Sequence, residues 1–375
     1  MNVLLLHASA GAGHKRAAEA LARGFEQRGA KAEVRDILDF TPPMFRKTYA
    51  AGYLNVVRTV PELWGYMYAR TDQSSQKPWE KRVRTAFNKL NTLSFSRFLR
   101  KVRPDAVVCT HFMPLELLGT QRNRRVPSPP LFGVVTDFAA HSLWAAPRVE
   151  RYFVASVEAA RQLARLGQPA DRIAVTGIPV DPAFAGSRPV SEARTELGLR
   201  PDLPVVLVLC GGFGVGPVAG LLRTFRDEPL AAQGVVVTGR NEALRQEAEA
   251  IARTSSMPVR VEGFVANMHV WLNAADLVVS KPGGLTTAEC LAMGKPMVIV
   301  DPIPGQEQRN AEMLLEEGAA VRLFETADAS WKIGNLLSDP ARLTSLSANA
   351  RRLGRPSAAA DIVDAVLYAS EAWNL

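Results

Sequence analysis

The stretch ADLVVSKPGGLTTAEC, residues 275–290, joins a short apolar run to a Pro-Gly-Gly turn and a segment of helical character. The run LVVS has the length and the β-branched residues of a buried strand, and a helix is expected to begin near Leu285. Two successive glycines, Gly283 and Gly284, cost backbone entropy, which favours a functional reason for the turn. The stretch therefore predicts the strand–turn–helix unit of an α/β fold.

The same unit recurs along the chain. VLLLHAS (3–9) leads through Gly11-Ala12-Gly13 into a helix closed by Gly29, and the pattern restarts where PVVLVLC (204–210) enters GGFGVG (211–216). Further strands are predicted in AEVRDI, DAVVCT (105–110), LFGVVTD (131–137), RYFVAS (151–156), GVVVTG, PVRVEGF and KPMVIVD. A helix with Ser156 at its N-cap and Gly167 beyond its end follows RYFVAS. We expect two Rossmann-like parallel-sheet domains that face each other across a cleft and bind ligands at the carboxyl ends of their strands.

The domain limits follow from composition. The Pro- and Gly-rich stretch GIPVDPAFAGSRP (177–189) is the expected hinge, with an N-terminal domain over 1–180 and a C-terminal domain over 181–357. The last residues, 358–375, form a predicted helix that packs on either domain, with the N-terminal one favoured.

The bulk composition is that of a globular protein in the cytoplasm. The 375 residues are 47% hydrophobic and 22% charged, and no apolar run is long enough to span a membrane. The chain begins without the basic segment and cleavage site of a secretory signal. The three cysteines are far apart and form no CxxC, so they are interpreted as small buried hydrophobic residues.

The net charge of +8 comes from one segment. Residues 46–103 carry 13 Lys and Arg against 3 Asp and Glu, and residues 45–103 hold 10 of the 27 aromatic residues. Cations with Trp and Tyr suit an anionic membrane surface, on which the protein would lie peripherally, at the inner face of the cell membrane. A nucleic-acid surface has similar composition, but no nucleic-acid motif accompanies it, so no nucleic-acid partner is expected. A solvated helical hairpin with an aromatic core remains the alternative.

Four loops that follow strands of the C-terminal domain are candidate ligand sites. Amides at the helix start of Gly283 and Gly284 could bind phosphate, with hydroxyls from Thr286 and Thr287, while Glu289 could accept from a ribose. The alternative is a tight turn with a solvated Glu289. The other candidates are the glycine loop with Gly212 and Phe213, the glycine Gly239 that ends GVVVTG, and the polar PIPGQEQRN (302–310), with Gln306, Glu307 and Asn310 facing sugar hydroxyls; ordinary turns and a capped loop are the alternatives.

In the N-terminal half, His14 follows the first glycine loop and is a candidate general base. Asp137 and His141 in TDFAAHSLW (136–144) could support the base or the acceptor, and this segment could instead supply the base itself. The alternative is that His14 or His141 is an ordinary surface residue. The chain has no Asp-x-Asp, no HExxH and no Cys/His cluster, so no metal site is expected.

Taken in order, several segments resemble the family of monogalactosyldiacylglycerol synthases and bacterial processive diacylglycerol glucosyltransferases. They are GAGHKRAAEAL (11–21), TDFAAHSLW with RYFVAS, VTGIPVDPAF (175–184), CGGFGVG, KPGGLTTAECLAMGKP and PIPGQEQRNA. The resemblance implies a GT-B glycosyltransferase that moves a hexose from a nucleotide sugar, usually a UDP-hexose, to a membrane lipid such as diacylglycerol. Inversion at the anomeric carbon is implied, without metal or cofactor.

The resemblance also implies residue roles. His14 matches the favoured base or acceptor-site residue, and the segment from Gly283 to Thr287 matches the diphosphate site. Glu289 would hold ribose, Gln306 and Glu307 the hexose, and the backbone at Phe264 and Val265 in GFVANM (263–268) the uracil. Three rival functions remain: N-acetylglucosamine transfer to a lipid-linked peptidoglycan precursor, UDP-sugar 2-epimerisation, and non-enzymatic binding of lipid or nucleic acid.

Overall fold

The computed structural model describes residues 1–9, 11–44, 46, 65–66, 70, 72, 93–121, 128–186, 188–211 and 216–373. The chain folds into two compact units. The first comprises residues 1–182, 303–306 and 357–375, and the second comprises 183–302 and 307–356. Each unit is built on a six-stranded sheet, and the paired strands of both sheets run parallel. Most of the predicted segment 45–103 lies outside the described residues.

The first sheet has the strand order β2-β1-β3-β4-β5-β6. Its strands are β1 (Asn2–His7), β2 (Lys31–Asp36), β3 (Ala106–Cys109), β4 (Leu131–Val134), β5 (Arg151–Val154) and β6 (Ile173–Val175). The helices among them are α1 (Ala12–Gln27), α2 (Leu93–Val102), α3 (Phe112–Gln121) and α4 (Val157–Arg165). The chain leaves β1 toward one edge and returns to β3 on its other side, so the strand order reverses between β1 and β3, where open α/β sheets bind ligands.

The second sheet has the order β12-β11-β10-β7-β8-β9. Its strands are β7 (Val205–Leu209), β8 (Gln233–Val237), β9 (Val259–Glu262), β10 (Leu277–Ser280), β11 (Met297–Ile299) and β12 (Ala320–Arg322). Its helices are α5 (Val190–Glu196), α6 (Val218–Asp227), α7 (Glu242–Ala252), α8 (Met268–Ala274), α9 (Gly284–Ala292), α10 (Gln306–Glu316), α11 (Ala329–Leu337) and α12 (Pro340–Leu353). Here the order reverses between β7 and β10.

The strand–helix alternation predicted from sequence is confirmed in both units. Ser156 caps α4 by accepting a 2.9 Å hydrogen bond from the amide of Ala159, and Gly167 takes a φ of 87° beyond the helix. The helix after the Pro-Gly-Gly turn begins at Gly284, one residue before the predicted Leu285. Two strands were not predicted, β6 and β12; each has three residues and lies at a sheet edge.

Helix α13 (Ala358–Trp373) packs on the first unit. Its buried residues Ile362, Val363 and Val366 join a core with Phe25 of α1 and with β1, β3, β4 and β5. A Cβ added at Gly24 would lie 3.0 Å from Val363, so the glycine lets the two helices approach closely. This helix therefore supplies part of the core on one face of the first sheet.

The three cysteines are buried and free, as the sequence predicts. Burial raises the pKa of each thiol, to about 12 at Cys210, which fits an apolar packing role. In the part of the chain that the structure describes, no helix is both long and apolar enough to cross a membrane.

Candidate active site

Four histidines lie at or after the carboxyl ends of strands in the first sheet. His7 ends β1 and His111 follows β3, so these two lie at the reversal of strand order, and His14 stands in the first turn of α1 just beyond. His141 follows β4 at a greater distance along the chain. The rings of His14 and His111 meet edge to face with centroids 4.6 Å apart. The fold thus gathers imidazoles where ligands of such sheets bind.

His14 is held through one ring nitrogen. Nδ1 lies 2.9 Å from the carbonyl oxygen of Thr110 and 2.8 Å from the hydroxyl oxygen of Thr136. A carbonyl oxygen can only accept, so these partners assign the proton to Nδ1 and the lone pair to Nε2. Nε2 faces the glycine loop, because a Cβ added at Gly11 would lie 3.9 Å from it. Among the described residues nothing hydrogen-bonds to Nε2, which can therefore accept a proton.

The electrostatic surroundings keep His14 neutral. Burial lowers the pKa of His14, while the negative charge of Asp137 and the hydrogen bond to Thr110 oppose the shift and His7 adds to it. An imidazole with a lowered pKa is in its basic form at neutral pH. Asp137, which follows β4, thus acts on the ring through charge, as the predicted support for a base would.

His141 is arranged differently from His14. Its Nδ1 accepts a 3.1 Å hydrogen bond from the amide of Leu143 and caps the short 3₁₀ helix Ser142–Trp144. Nε2 lies 3.8 Å from a carboxylate oxygen of Asp72, which also accepts from the amide of Ser142. The Nδ1 lone pair is used within the loop, and the ring is buried. His141 therefore orders the 136–144 segment rather than presenting a lone pair for proton transfer.

Two histidines at this edge were not among the predicted site residues. His111 is buried, accepts from the amide of Met113 through Nδ1 at 3.1 Å, and has its pKa lowered well below the usual value by burial, then by His14 and His7. His7 is also buried, burial lowers its pKa, and its Nδ1 has no hydrogen-bond partner among the described residues. His7 ends an apolar strand and His111 comes two residues after another, positions that could have marked both.

In the second unit, glycines line the carboxyl edge. Gly211 follows β7, Gly239 follows β8 and Gly263 follows β9, and the first two have φ of 66° and 64°. A Cβ added at Gly239 would lie 3.8 Å from the oxygen of Gly211, and one at Gly263 would lie 3.7 Å from the oxygen of Gly239. The edge here is backbone, which a ligand can approach closely. Gly212 and Phe213 lie outside the described residues.

The N-cap of α9 is a glycine and therefore has no side chain of its own to cap the helix. Gly283 has a φ of −62°, and its oxygen accepts from the amide of Thr287 at 2.9 Å. The amides of the first turn lie at the positive end of the helix dipole, which favours an anion there. No acidic residue stands in that first turn to repel it.

The polar residues of α9 differ in exposure. Thr286 is half-buried, whereas Thr287 is fully buried and its hydroxyl has no partner within the described chain. Glu289 is only 3% exposed, so the alternative of a solvated carboxylate is wrong. A buried carboxylate is costly unless it is paired or bonded, which fits a residue held for a purpose.

The PIPGQEQRN loop lies against the same helix end. Gln306 and Glu307 open α10, and a Cβ added at Gly283 would lie 3.6 Å from Oε1 of Glu307. Asn310 is buried and donates from Nδ2 to the carbonyl oxygen of Pro282 at 3.0 Å. Glu307 is thereby brought next to the Pro-Gly-Gly turn, while Asn310 fixes that turn and does not face outward.

Phe264 and Val265 lie in the loop after β9. The ring of Phe264 is 64% exposed, with the guanidinium of Arg240 5.1 Å from its centroid, and Val265 is half-buried. The loop therefore offers backbone groups and an aromatic face near Gly263 at the same edge. No group of three or more metal-ligating side chains occurs in the described ranges.

Comparison with known proteins matches two family models to successive parts of the chain. The family model described as "Monogalactosyldiacylglycerol (MGDG) synthase" matches residues 14–180, and "Glycosyltransferase family 28 C-terminal domain" matches 205–361. The processive diacylglycerol beta-glucosyltransferase of Bacillus cytotoxicus is 30% identical over 372 residues, covering 99% of this chain and 94% of that one.

Solved structures agree on the fold. MurG of Acinetobacter baumannii has a TM-score of 0.59 at 16% identity, covering 98% of this chain and 99% of that chain. The MnaA–UDP co-structure from S. aureus has a TM-score of 0.62 at 14% identity, covering 98% and 96%. The fold is GT-B, and the chain belongs to the family of monogalactosyldiacylglycerol synthases and processive diacylglycerol glucosyltransferases, and is thus a hexosyltransferase of glycolipid synthesis.

Proposed function

We propose that the chain transfers a hexose from a UDP-hexose to the free hydroxyl of diacylglycerol, with inversion at the anomeric carbon and without a metal. The acceptor follows the name of the Bacillus cytotoxicus relative. A β-linked product, as in that name, made from an α-linked UDP-sugar requires inversion. The observation that carries the proposal is the tautomer of His14, whose lone pair lies on Nε2 at the reversal of strand order.

In the acceptor step, the hydroxyl of the lipid gives its proton to Nε2 of His14 while its oxygen bonds to the anomeric carbon. The bond from that carbon to the diphosphate oxygen breaks, and its electron pair stays on the diphosphate. The lowered pKa of His14 supports this role, because the ring is neutral when the acceptor arrives. Asp137 stabilises the imidazolium once it forms, and His141 keeps the 136–144 segment in place.

In the donor step, the amides at the start of α9 bind the diphosphate as its charge grows. Thr286 and Thr287 add hydroxyls, Glu289 accepts from the ribose, and Gln306 with Glu307 binds the hexose. The backbone at Phe264 and Val265 meets the uracil, and the glycine edge with Gly212, Phe213 and Gly239 faces the sugar and phosphates. The glycine-lined edge and the glycine N-cap of α9 support this assignment, and so does the UDP in the MnaA co-structure, a protein of the same fold.

Membrane contact belongs to residues 45–103. Their 13 cations against 3 carboxylates over 46–103 suit anionic headgroups, and the 10 aromatic residues suit the interfacial zone. The protein would then work as a peripheral enzyme at the cytoplasmic face, where its lipid acceptor lies. Replacing Lys81, Arg82 and Arg84 with Gln is expected to reduce co-sedimentation with anionic liposomes. Equal binding to anionic and neutral liposomes would contradict this contact.

The direct test is incubation with UDP- and GDP-sugars and diacylglycerol liposomes, with products identified by mass spectrometry. We expect a hexosyl-diacylglycerol from a UDP-hexose. His14→Asn is expected to lower kcat by about 10²–10⁴ at saturating donor, the usual contribution of a general base. His269→Asn, a change in α8 of the second unit, is the matched control and should keep wild-type turnover. Full turnover in His14→Asn would overturn the assignment of the base.

A further inference from the structure

Lys281 is a cation at the reversal of strand order in the second sheet. It directly follows β10, which pairs with β7 on one side and β11 on the other. A Cβ added at Gly216, the end of the glycine loop after β7, would lie 3.8 Å from Cε of Lys281. Only Pro282 separates Lys281 from Gly283, the N-cap of α9. The lysine thus stands between the end of the glycine loop and the start of α9.

The ammonium of Lys281 is paired with a single, largely exposed carboxylate in the described part of the chain. The side chain of Lys281 is 12% exposed, and Nζ lies 2.9 Å from Oδ2 of Asp301, whose side chain is 63% exposed. In the described part of the chain, Asp301 is the sole ion-pair or hydrogen-bond partner of this ammonium, which has three donors. A cation so far removed from water is stable when further anionic groups meet it. A further anion at this ammonium would therefore be electrostatically favourable.

Asp301 has a strained backbone conformation. It follows β11 and has a φ of 41°, in the left-handed region that side-chain-bearing residues rarely adopt. It also precedes Pro302, and a residue before proline is normally extended. Despite this strain, the carboxylate of Asp301 lies at the ammonium of Lys281. Strained residues of this kind are common at functional sites. Exposure leaves the carboxylate able to turn into solvent.

We propose that Lys281 binds the diphosphate of the nucleotide donor, and that Asp301 is its counter-ion in the empty site and is displaced when the diphosphate binds. This inference rests on the proposed function, which puts the diphosphate at the start of α9. The ammonium exchanges one carboxylate for a more highly charged diphosphate, and the released Asp301 becomes solvated. Lys281 then opposes the negative charge that stays on the diphosphate after transfer.

The proposed exchange predicts opposite effects on UDP affinity when Lys281 and Asp301 are substituted. Removing Lys281 deletes an attraction for the diphosphate, so UDP binds more weakly. Removing the charge of Asp301 deletes a competitor for the same ammonium, so UDP binds more tightly. A pair that served only to stabilise the fold would give weaker binding, or no change, in both variants.

The experiment is isothermal titration of the full chain with UDP, UMP and uridine. Lys281→Met is expected to weaken UDP binding by roughly 10-fold to 100-fold, the usual loss for a charge-assisted bond, and to leave uridine binding unchanged. Lys281→Arg should restore most of the affinity. Asp301→Asn should tighten UDP binding about threefold or more. Uridine binding should depend least on salt, because uridine carries no phosphate charge. Lys332→Met and Asp227→Asn are the matched controls in the same unit and should bind like wild type.

The outcomes separate this inference from the proposed function. If wild type binds no UDP, the proposed function fails. If wild type binds UDP and Lys281→Met binds it equally well, or if Asp301→Asn binds it more weakly, only the role of this pair is overturned. Should Lys281→Met lose uridine as well through misfolding, the Asp301→Asn variant decides: tighter UDP binding supports the exchange, and unchanged binding refutes it.

Discussion

Thr110 and Thr136 both contact Nδ1 of His14, at 2.9 and 2.8 Å, so the ring has one nitrogen left for chemistry. The hydroxyl of Thr110, the residue after β3, donates a 2.8 Å bond to the backbone oxygen of His14 and holds the residue a second time. The ring is therefore fixed in rotation as well as in tautomer. A base held this way loses little freedom on reaction, which is the usual benefit of preorganisation.

The charge of Asp137 sets the pH range of this base. Burial lowers the pKa of His14 and Asp137 raises it, so Asp137→Asn lowers the pKa further. Because the base is lost when the ring takes a proton, the acid limb of kcat/KM should move to lower pH in the variant. Rates measured from pH 5 to pH 8 test this, with Asp171→Asn, an exposed residue of the same unit, as control. An acid limb that moves to higher pH would contradict the electrostatic role of Asp137.

The sequence identified His14 but not the groups that position it. A histidine after a strand and a glycine loop is a local signal, whereas Thr110 and Thr136 lie 96 and 122 residues further along the chain. Their contacts exist because β1, β3 and β4 are neighbours in the sheet, which no local pattern encodes. The hydrogen bond by which His141 caps the 3₁₀ helix could not be predicted either, because the sequence around a histidine does not show whether its ring caps a helix or takes part in catalysis.

Helix α9 carries the proposed diphosphate site on an N-cap without a side chain. Gly283 has a φ of −62°, which any residue can adopt, and an added Cβ would make an ordinary 3.6 Å contact with Glu307. Gly283→Ala should therefore keep its thermal stability. Its methyl group would stand at the helix end where the ligand approaches, so we expect KM for the UDP-hexose to rise about tenfold. Gly186→Ala is the control, and an unchanged KM would argue against this site.

Lys295 secures the end of α8 from within the second unit. Its Nζ donates at 2.9 Å to the carbonyl oxygens of Asn273 and Ala275, so Lys295→Met leaves both unmet at a cost of about 1–3 kcal/mol. Burial lowers the pKa of Lys295 to about 8, with Asp276 opposing the shift. The native state then releases a proton near pH 8 that the unfolded chain keeps until a higher pH.

Between pH 8 and the ordinary lysine value the unfolded state binds more protons, so this lysine makes wild type gain stability as pH rises. Urea unfolding at pH 7.5 and 9.5 should show the advantage of wild type over Lys295→Met growing by about 1–2 kcal/mol. Lys332→Met is the control for the removal of a lysine elsewhere in the same unit. An advantage that shrinks with rising pH would contradict the lowered pKa.

Elements with a strong local pattern could be predicted, and short ones could not. The strands β1, β7 and β8 are runs of five or six residues with a mostly apolar sequence, and their glycine turns mark the ends. In contrast, β6 and β12 have three residues each and pair on one side only. Such segments become strands because a neighbouring strand is there to receive them, which is tertiary information.

At the scale of the whole molecule, UDP binding should raise the free energy of unfolding of the unit that binds it. UDP at 100 times its dissociation constant stabilises the unit that binds it by about 2.7 kcal/mol, or roughly 5–10 °C in the midpoint of that unit. Because two units need not unfold together, calorimetry should show one transition shifting more than the other. The shift should persist in EDTA, since the proposal has no metal. A shift that requires added Mg²⁺ would contradict it.

The duplication of the α/β pattern predicted the architecture, but the chemistry needed two further kinds of information. Glycine loops recur in both halves, and the sequence alone left each one open between a ligand site and a packing turn. The reversal of strand order resolves part of this, because it distinguishes the loops after β1, β3, β7 and β10 from the rest. The relatives supply the reaction class, which geometry by itself does not name.

Helix α13 has a consequence for how the protein is made. Since it follows the whole second unit in sequence yet contributes Ile362, Val363 and Val366 to a core with Phe25, the ribosome must synthesise the second unit before the first can bury that face. During translation, the nascent first unit would expose this apolar face until some 170 further residues have been synthesised. The nascent chain should therefore bind chaperones most strongly midway through synthesis. A chain truncated before Ala358 should be insoluble, because the same face stays exposed.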